Sequence, residues 1–193
     1  MVLTESIMLP LGSTAPDFDL FEVVTGQRCR RSDFDDQQLL LVLFICRHCP
    51  FVKHIQTQLA DLGRDYQTRS VGICAISAND ADHYPEDAPS KLREMAEQLD
   101  FRFPLCYDET QAVALAYRAV CTPDFFLFDH DRRLVYRGQL DDSRPGNHQP
   151  VNGKDLRAAI EAALAHQPIP SPQKPSIGCN IKWKPGVNPP ALR

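Results

Sequence analysis

The sequence lacks most of what ties a chain to a membrane, a nucleic acid or a secreted disulfide framework. No apolar run approaches the ~20 residues that span a bilayer. Met1-Val2-Leu3-Thr4-Glu5-Ser6 carries no basic segment ahead of an apolar one, so a secretory leader is not expected. Charge of one sign is scarce: 21 Lys and Arg against 25 Asp and Glu give a formal net charge of −4. That balance excludes a general nucleic-acid or anionic-membrane surface. Internal repeats are absent. The seven cysteines are an odd number spread over 193 residues, a poor match to a secreted disulfide scaffold. A structural zinc site usually wants two spaced ligand pairs, and there is no second Cys-x-x-Cys. The expectation is a cytoplasmic protein with no membrane or nucleic-acid partner, no dissociable cofactor and no resident metal.

What is present is ordinary in amount and concentrated in place. Hydrophobic residues make up 43% and charged residues 24%, which suits one globular domain with a sizeable core. The seven apolar residues Leu39-Leu40-Leu41-Val42-Leu43-Phe44-Ile45 run into Cys46-Arg47-His48-Cys49. Without polar alternation, the run reads as a strand buried on both faces. Phe51, Ile55, Leu59 and Leu62 then recur at helical spacing. Pro50 falls in the first helical turn, where losing an N–H costs little. The two cysteines therefore sit where a central strand hands over to a helix. Unpaired N–H groups and the helix dipole favour a thiolate there. Arg47, His48, Lys53 and His54 add cationic or protonatable groups nearby. Cys46 is expected to ionise below the usual ~8.5, and the thiolate is the nucleophile of disulfide exchange.

The rest of the chain supplies a frame. Residues 1–16 read as irregular. Asp17–Leu20 and Gln27–Cys29 read as a hairpin turned at Thr25-Gly26. Val71–Ile76 is a second buried strand and closes a right-handed βαβ unit. Residues 79–90 form a loop at the same sheet rim as Cys46. Helices are expected over Lys91–Leu99, Gln111–Arg118 and Lys154–His166, and strands over Phe125–Phe128 and Leu134–Gly138. Cys29, Cys74 and Cys106 read as small core residues. Asp141-Asp142-Ser143-Arg144 reads as a solvated loop. From Gln167 onward, seven of sixteen prolines make an extended tail. Ile177, Ile181 and Trp183 should hold that tail against residues 1–166.

Leu11-Gly12-Ser13-Thr14-Ala15-Pro16-Asp17-Phe18, the strand into Cys46-Arg47-His48-Cys49, and Cys121-Thr122-Pro123-Asp124 ahead of a buried strand together resemble the thioredoxin-like superfamily. The likeness is to its redoxin branch of alkyl hydroperoxide reductase/thiol-specific antioxidant, or peroxiredoxin-like, proteins. Pro175-Ser176-Ile177-Gly178-Cys179-Asn180-Ile181-Lys182-Trp183-Lys184 resembles the tail of a peroxiredoxin-like subgroup. The resemblance implies an α/β, three-layer thioredoxin fold: a mixed central sheet flanked by helices, an N-terminal β-hairpin extension and the extended tail. It implies that Cys46 attacks, Cys49 resolves, and His48 favours the Cys46 thiolate. It further implies that Pro123 is cis, with the Thr122 backbone facing Cys46 and ready to pair with a substrate strand. Cys121 and Cys179 are candidate further redox thiols, Cys179 as a resolving cysteine for Cys46 or Cys49.

Three functions follow as expectations. The first is a thiol–disulfide oxidoreductase with an antioxidant or redox-homeostasis role, acting on protein or small-molecule thiols and disulfides. Its electrons would come from a donor such as thioredoxin or glutathione. The second is a hydroperoxide peroxidase. In peroxiredoxins the peroxidatic cysteine aligns with Cys49, a threonine or serine stands at the position of Cys46 and a proline at that of Val42. Here those two positions depart from the pattern, and the partner arginine is unassigned among Arg102, Arg118 and Arg144. The third is a metal-binding or redox-sensing protein without turnover, drawing on Cys46, Cys49 and His54. His54 is expected on a solvated helix face.

Overall fold

The computed structural model describes residues 3–191. Two central strands dictate the layering. Leu39–Phe44 (β4) and Val71–Ser77 (β5) are buried at every position and pair in parallel. Side chains alternate across a strand, so Leu39, Leu41 and Leu43 enter one core layer while Leu40, Val42 and Phe44 enter the other. Between β4 and β5 runs Pro50–Tyr66 (α1), with Cys49 as its N-cap and Pro50 opening its first turn. Val52, Ile55, Leu59, Leu62 and Tyr66 bury its inner stripe.

The remaining strands extend the sheet on both sides. Asp19–Glu22 (β2) and Arg28–Arg30 (β3) form the expected hairpin. Leu105–Tyr107 (β6) joins β2 to β5. Asp124–Phe128 (β8) lies antiparallel to β4, and Leu134–Gly138 (β9) lies antiparallel to β8. The order is β3-β2-β6-β5-β4-β8-β9, a seven-stranded mixed sheet. Pro89–Gln98 (α2) and Lys154–Leu164 (α4) share the first core layer with α1, while Ala112–Tyr117 (α3) packs into the second. This is the three-layer thioredoxin fold with a mixed sheet.

A second, three-stranded sheet differs from expectation. Leu3–Glu5 (β1), Ile177–Asn180 (β10) and Cys121–Thr122 (β7) pair antiparallel in the order β1-β10-β7. Within 1–16, read as irregular, Leu3–Glu5 is a strand; Met1 and Val2 lie outside the described residues, as do Leu192 and Arg193 of the tail. A three-residue strand has too little pattern to read locally. It exists because the tail strand presents an edge with unpaired N–H and C=O groups.

The Asp141–Arg144 loop also departs from its expected solvation. Asp141 is buried, and its carboxylate accepts N–H bonds from Ser143 at 2.8 Å, Asn152 at 2.8 Å and Gly153 at 2.6 Å. It thereby ties the loop to the start of α4.

One ion pair fixes the strand that leads out of the small sheet. Asp124 and Arg137 are both fully buried and joined in a two-point pair, with Nη2 2.8 Å from Oδ2. The guanidinium lies 3.8 Å above the Phe126 ring. Breaking a buried pair from one side leaves an uncompensated charge, at about 3–5 kcal/mol. We expect Arg137→Met to lower the unfolding free energy from urea titration by that amount, read as a lower midpoint at unchanged slope. Asp124→Leu combined with Arg137→Met should recover most of the loss. Equal destabilisation in the single and double variants would contradict this role.

Candidate active site

The site begins where β4 runs out. Ile45 still pairs into the sheet, donating its N–H to the Ile76 carbonyl at 3.0 Å. The chain then turns through Cys46–Cys49 into α1. Asp87 holds this turn. Its Oδ1 accepts the backbone N–H groups of Arg47 at 2.8 Å and His48 at 3.1 Å. Its Oδ2 meets His48 Nδ1 and accepts Asn79 Nδ2 at 2.8 Å. Burial works to raise the Asp87 carboxyl, but His48 and Asn79 outweigh it and hold it below its ordinary value. The His48 ring is stacked on Tyr84 at 5.7 Å, and Arg47 pairs with Glu86. No sequence signal singled out Asp87; only its loop, 79–90, was placed at this rim.

The small sheet closes the site from above. Thr122 precedes Pro123 through a cis peptide bond, as the resemblance implied. Its hydroxyl lies 3.3 Å from Cys46 Sγ, and its carbonyl oxygen 3.2 Å from Cys49 Sγ. The backbone therefore faces Cys49, where the resemblance had put it against Cys46. Nor is that backbone open to a substrate strand: Thr122 is paired with Cys179 of β10. Cys179 Sγ lies 2.8 Å from Cys49 Sγ. All seven cysteines are free thiols, and Cys46, Cys49 and Cys179 are sealed beneath side chains.

The electrostatics reverse the expected order of the pair. Cys49 is the N-cap of α1, and its sulfur lies against those of Cys179, 2.8 Å away, and Cys46 at the start of the helix. These outweigh burial and pull its thiol far below the usual value. Cys46 is pushed up, first because it shares its proton with Cys49, then by burial and by Asp87. Cys179 is pushed up first by its hydrogen bond with Cys49, then by burial and by the Cys49 charge. An accessible, ionised Cys46 is thus not what the fold provides. Of the three neighbouring sulfurs, Cys49 is the one pulled down, while Cys46 and Cys179 are pushed up.

The other candidates fall at different distances from this centre. Cys121 is buried with its sulfur 3.8 Å from the Pro123 carbonyl rather than on a thiol, and burial raises it. Strand alternation explains this, since Thr122 takes the face toward Cys46. His54 is half-buried, not solvated; its Nε2 is enclosed, with no hydrogen-bond partner among the described residues, beside a small cavity of about 20 Å³ that Pro123 and Arg144 also line. Arg144 is engaged by Asp141, Ser143 and Gln139, Arg102 pairs with Asp100, and Arg118 lines a groove along Leu3–Pro10. Among the described residues, none of the three is bonded to a site cysteine. Cys29, Cys74 and Cys106 are core residues as expected and cluster in the opposite core layer, with Cys74 and Cys106 sulfurs 3.8 Å apart. As metal donors, the Cys46 sulfur, a His48 ring nitrogen and an Asp87 oxygen lie within 4.8 Å of one another; His54 is not among them.

Among the described residues, no helix is long and apolar enough to cross a membrane. Residues 11–137 match the model of the AhpC/TSA family. No curated protein matches the chain. An uncharacterised conserved protein from Geobacillus kaustophilus is 52% identical, with TM-score 0.95 over 97% of this chain and 99% of that one. A hypothetical protein from Sinorhizobium meliloti 1021 is 45% identical, with TM-score 0.93 over 95% of this chain and 100% of that one. The thioredoxin domain of a thiol-disulfide oxidoreductase from Bacteroides vulgatus shares the fold at 19% identity, with TM-score 0.55 over 68% of this chain and 91% of that one. A thioredoxin-fold chain with this match over more than half of its length belongs to the AhpC/TSA family.

Proposed function

We propose that the protein is a thiol–disulfide oxidoreductase in which Cys49 is the attacking thiolate and Cys46 and Cys179 are its two resolving partners. The observation that carries this reading is the convergence of both neighbouring thiols on one sulfur at a helix N-terminus. Membership of a redox family supports the class of chemistry.

The cycle balances with the groups at hand. The Cys49 thiolate attacks one sulfur of a disulfide. The S–S bond breaks, the first leaving thiolate takes a proton, and a mixed disulfide stays on Cys49. Cys46 or Cys179 then gives up its proton and attacks the Cys49 sulfur. The second thiol leaves, and an internal disulfide remains. Two electrons have passed to the substrate. An external thiol, of the glutathione or thioredoxin class, restores the dithiol by the reverse exchange. His48 acts as a positioning residue: with Asp87 it fixes the turn that spaces the two cysteines.

One observation favours a second reading. A thiol 2.8 Å from Cys49 is placed to resolve a sulfenic acid, so a hydroperoxide could be the oxidant. Attack on the peroxide would release an alcohol, and Cys179 would expel water as the disulfide forms. Against it stand Cys46 and Val42 at the two departing positions, and the absence, among the described residues, of a bond from Arg102, Arg118 or Arg144 to a site cysteine.

Two measurements test the assignment. In the reduced protein, the ultraviolet thiolate signal that Cys49→Ser removes should persist below about pH 7, against about 8.5 for an unperturbed cysteine. Because the shift is downward, the thiolate fades only as pH falls through the lowered value. Cys179→Ser should move that titration upward. A signal removed by Cys46→Ser instead would reverse the roles. In turnover of a small disulfide, Cys49→Ser should lose roughly 10³-fold or more, the scale for deleting a nucleophile. Cys46→Ser and Cys179→Ser should each keep turnover. The double variant should stop at a one-to-one mixed disulfide on Cys49. Full activity of Cys49→Ser would end this reading.

A further inference from the structure

The strand slot beside Pro123 is filled by the chain's own tail. A cysteine held in an extended peptide would reach Cys49 by pairing with the edge of β7, since strand addition is how an extended segment docks on an open sheet edge. Here β10 occupies that edge in antiparallel register, with Cys179 opposite Thr122 and Asn180 opposite Cys121. The far edge of β10 is taken in turn by β1. Cys179 stands where the cysteine of such a peptide would stand, with its sulfur on Cys49.

The tail is built in rather than laid on. Ser176 Oγ donates to the Pro123 carbonyl at 2.7 Å, and Ser6 and Ser176 bond each other twice at 2.9 Å. Further along, the Ile181 N–H reaches the Val120 carbonyl at 2.9 Å, the Lys182 N–H reaches Asn79 Oδ1 at 2.8 Å, and the Lys182 carbonyl accepts Gln111 Nε2 at 2.8 Å. These bonds hold β10 from both ends.

Its close seating depends on one residue. A Cβ on Gly178 would fall 2.0 Å from the Thr122 carbonyl oxygen and 3.1 Å from Pro123 Cδ. The obstacle is backbone, so β10 itself would have to back away. Gly178 is what lets Cys179 come within bonding reach of Cys49.

We propose that this strand makes the site selective for low-molecular-weight disulfides and closes it to disulfides carried in polypeptides, with Gly178 as the residue that sets the selectivity. The proposal rests on the oxidoreductase reading above. A small disulfide needs only a local opening over the sulfurs, whereas an extended chain needs the whole slot that β10 fills.

The test is a size ladder of substrates on the full-length protein, with dithiothreitol as electron donor: hydroxyethyl disulfide, glutathione disulfide and insulin. The wild type should lose at least about 100-fold in kcat/KM between glutathione disulfide and insulin. Gly178→Ala, checked for native secondary structure, should raise the ratio of insulin to glutathione-disulfide kcat/KM by about tenfold or more. Turnover of insulin by the wild type as readily as of glutathione disulfide would overturn the selectivity while leaving the oxidoreductase reading intact. A folded Gly178→Ala protein with an unchanged ratio would overturn the role of the strand. Should that variant not fold, the wild-type ladder decides alone: a steep fall supports the proposal and a flat profile ends it. No turnover of any disulfide by the wild type would instead overturn the oxidoreductase reading, and the proposal with it.

Discussion

Thr122 is the residue that all three cysteines of the site meet. Its hydroxyl meets Cys46, its carbonyl meets Cys49, and its backbone pairs with Cys179. The segment holding Thr122 is itself anchored. Two residues on, Asp124 is clamped by Arg137 in a bond that water cannot replace. β8 then lies along β4, with Phe44 opposite Asp124, so the strand that delivers Cys46 and the strand that leaves Thr122 are one ladder. The sheet sets the spacing between thiols and peptide before any chemistry takes place.

That spacing decides how charge is shared. Three thiols enclosed by apolar side chains cannot all ionise, because each added charge pays for burial and for repulsion from the last. They titrate as a unit, and the first proton leaves from the sulfur best solvated by protein dipoles. Cys49 has that position. It is the N-cap of α1, with Cys179 and Cys46 against its sulfur, while Cys46 itself sits beyond the helix and close to the Asp87 carboxylate. The helix start and the acidic neighbour therefore act in the same sense, away from Cys46 and toward Cys49.

The sequence was legible wherever pattern is local. The apolar run Leu39–Ile45, the helical stripe after Pro50 and the placement of Pro123 before Phe125–Phe128 each follow from neighbouring residues, and these fixed the sheet and the position of the dithiol. What could not be read came from contacts between distant segments. The ionisation order depends on Cys179, 130 residues from Cys49, and on a carboxylate in a loop whose composition says only that it is a loop. Leu3–Glu5 has no strand signature of its own. Nothing local to Gly178 shows that the carbonyl of Thr122 lies against it. The Asp-rich stretch at 141–144 looked solvated because nothing local showed that residues 152–153 would return to it.

The two partners of Cys49 differ in what their disulfides do to the chain. Cys46 is three residues away, so closing that loop removes little freedom from the unfolded chain. Cys179 closes a loop of 130 residues, and loop-closure entropy grows with the logarithm of loop length. On the chain-entropy account a cross-link of that span stabilises by roughly 5 kcal/mol. The long loop also places its sulfur correctly only while β10 is seated between β1 and β7, whereas the short one needs only the turn held by Asp87. Which thiol resolves Cys49 is therefore coupled to whether the tail is docked. A Cys49–Cys179 bond secures the strand that covers the site, and a Cys46–Cys49 bond leaves that strand held by hydrogen bonds and packing alone.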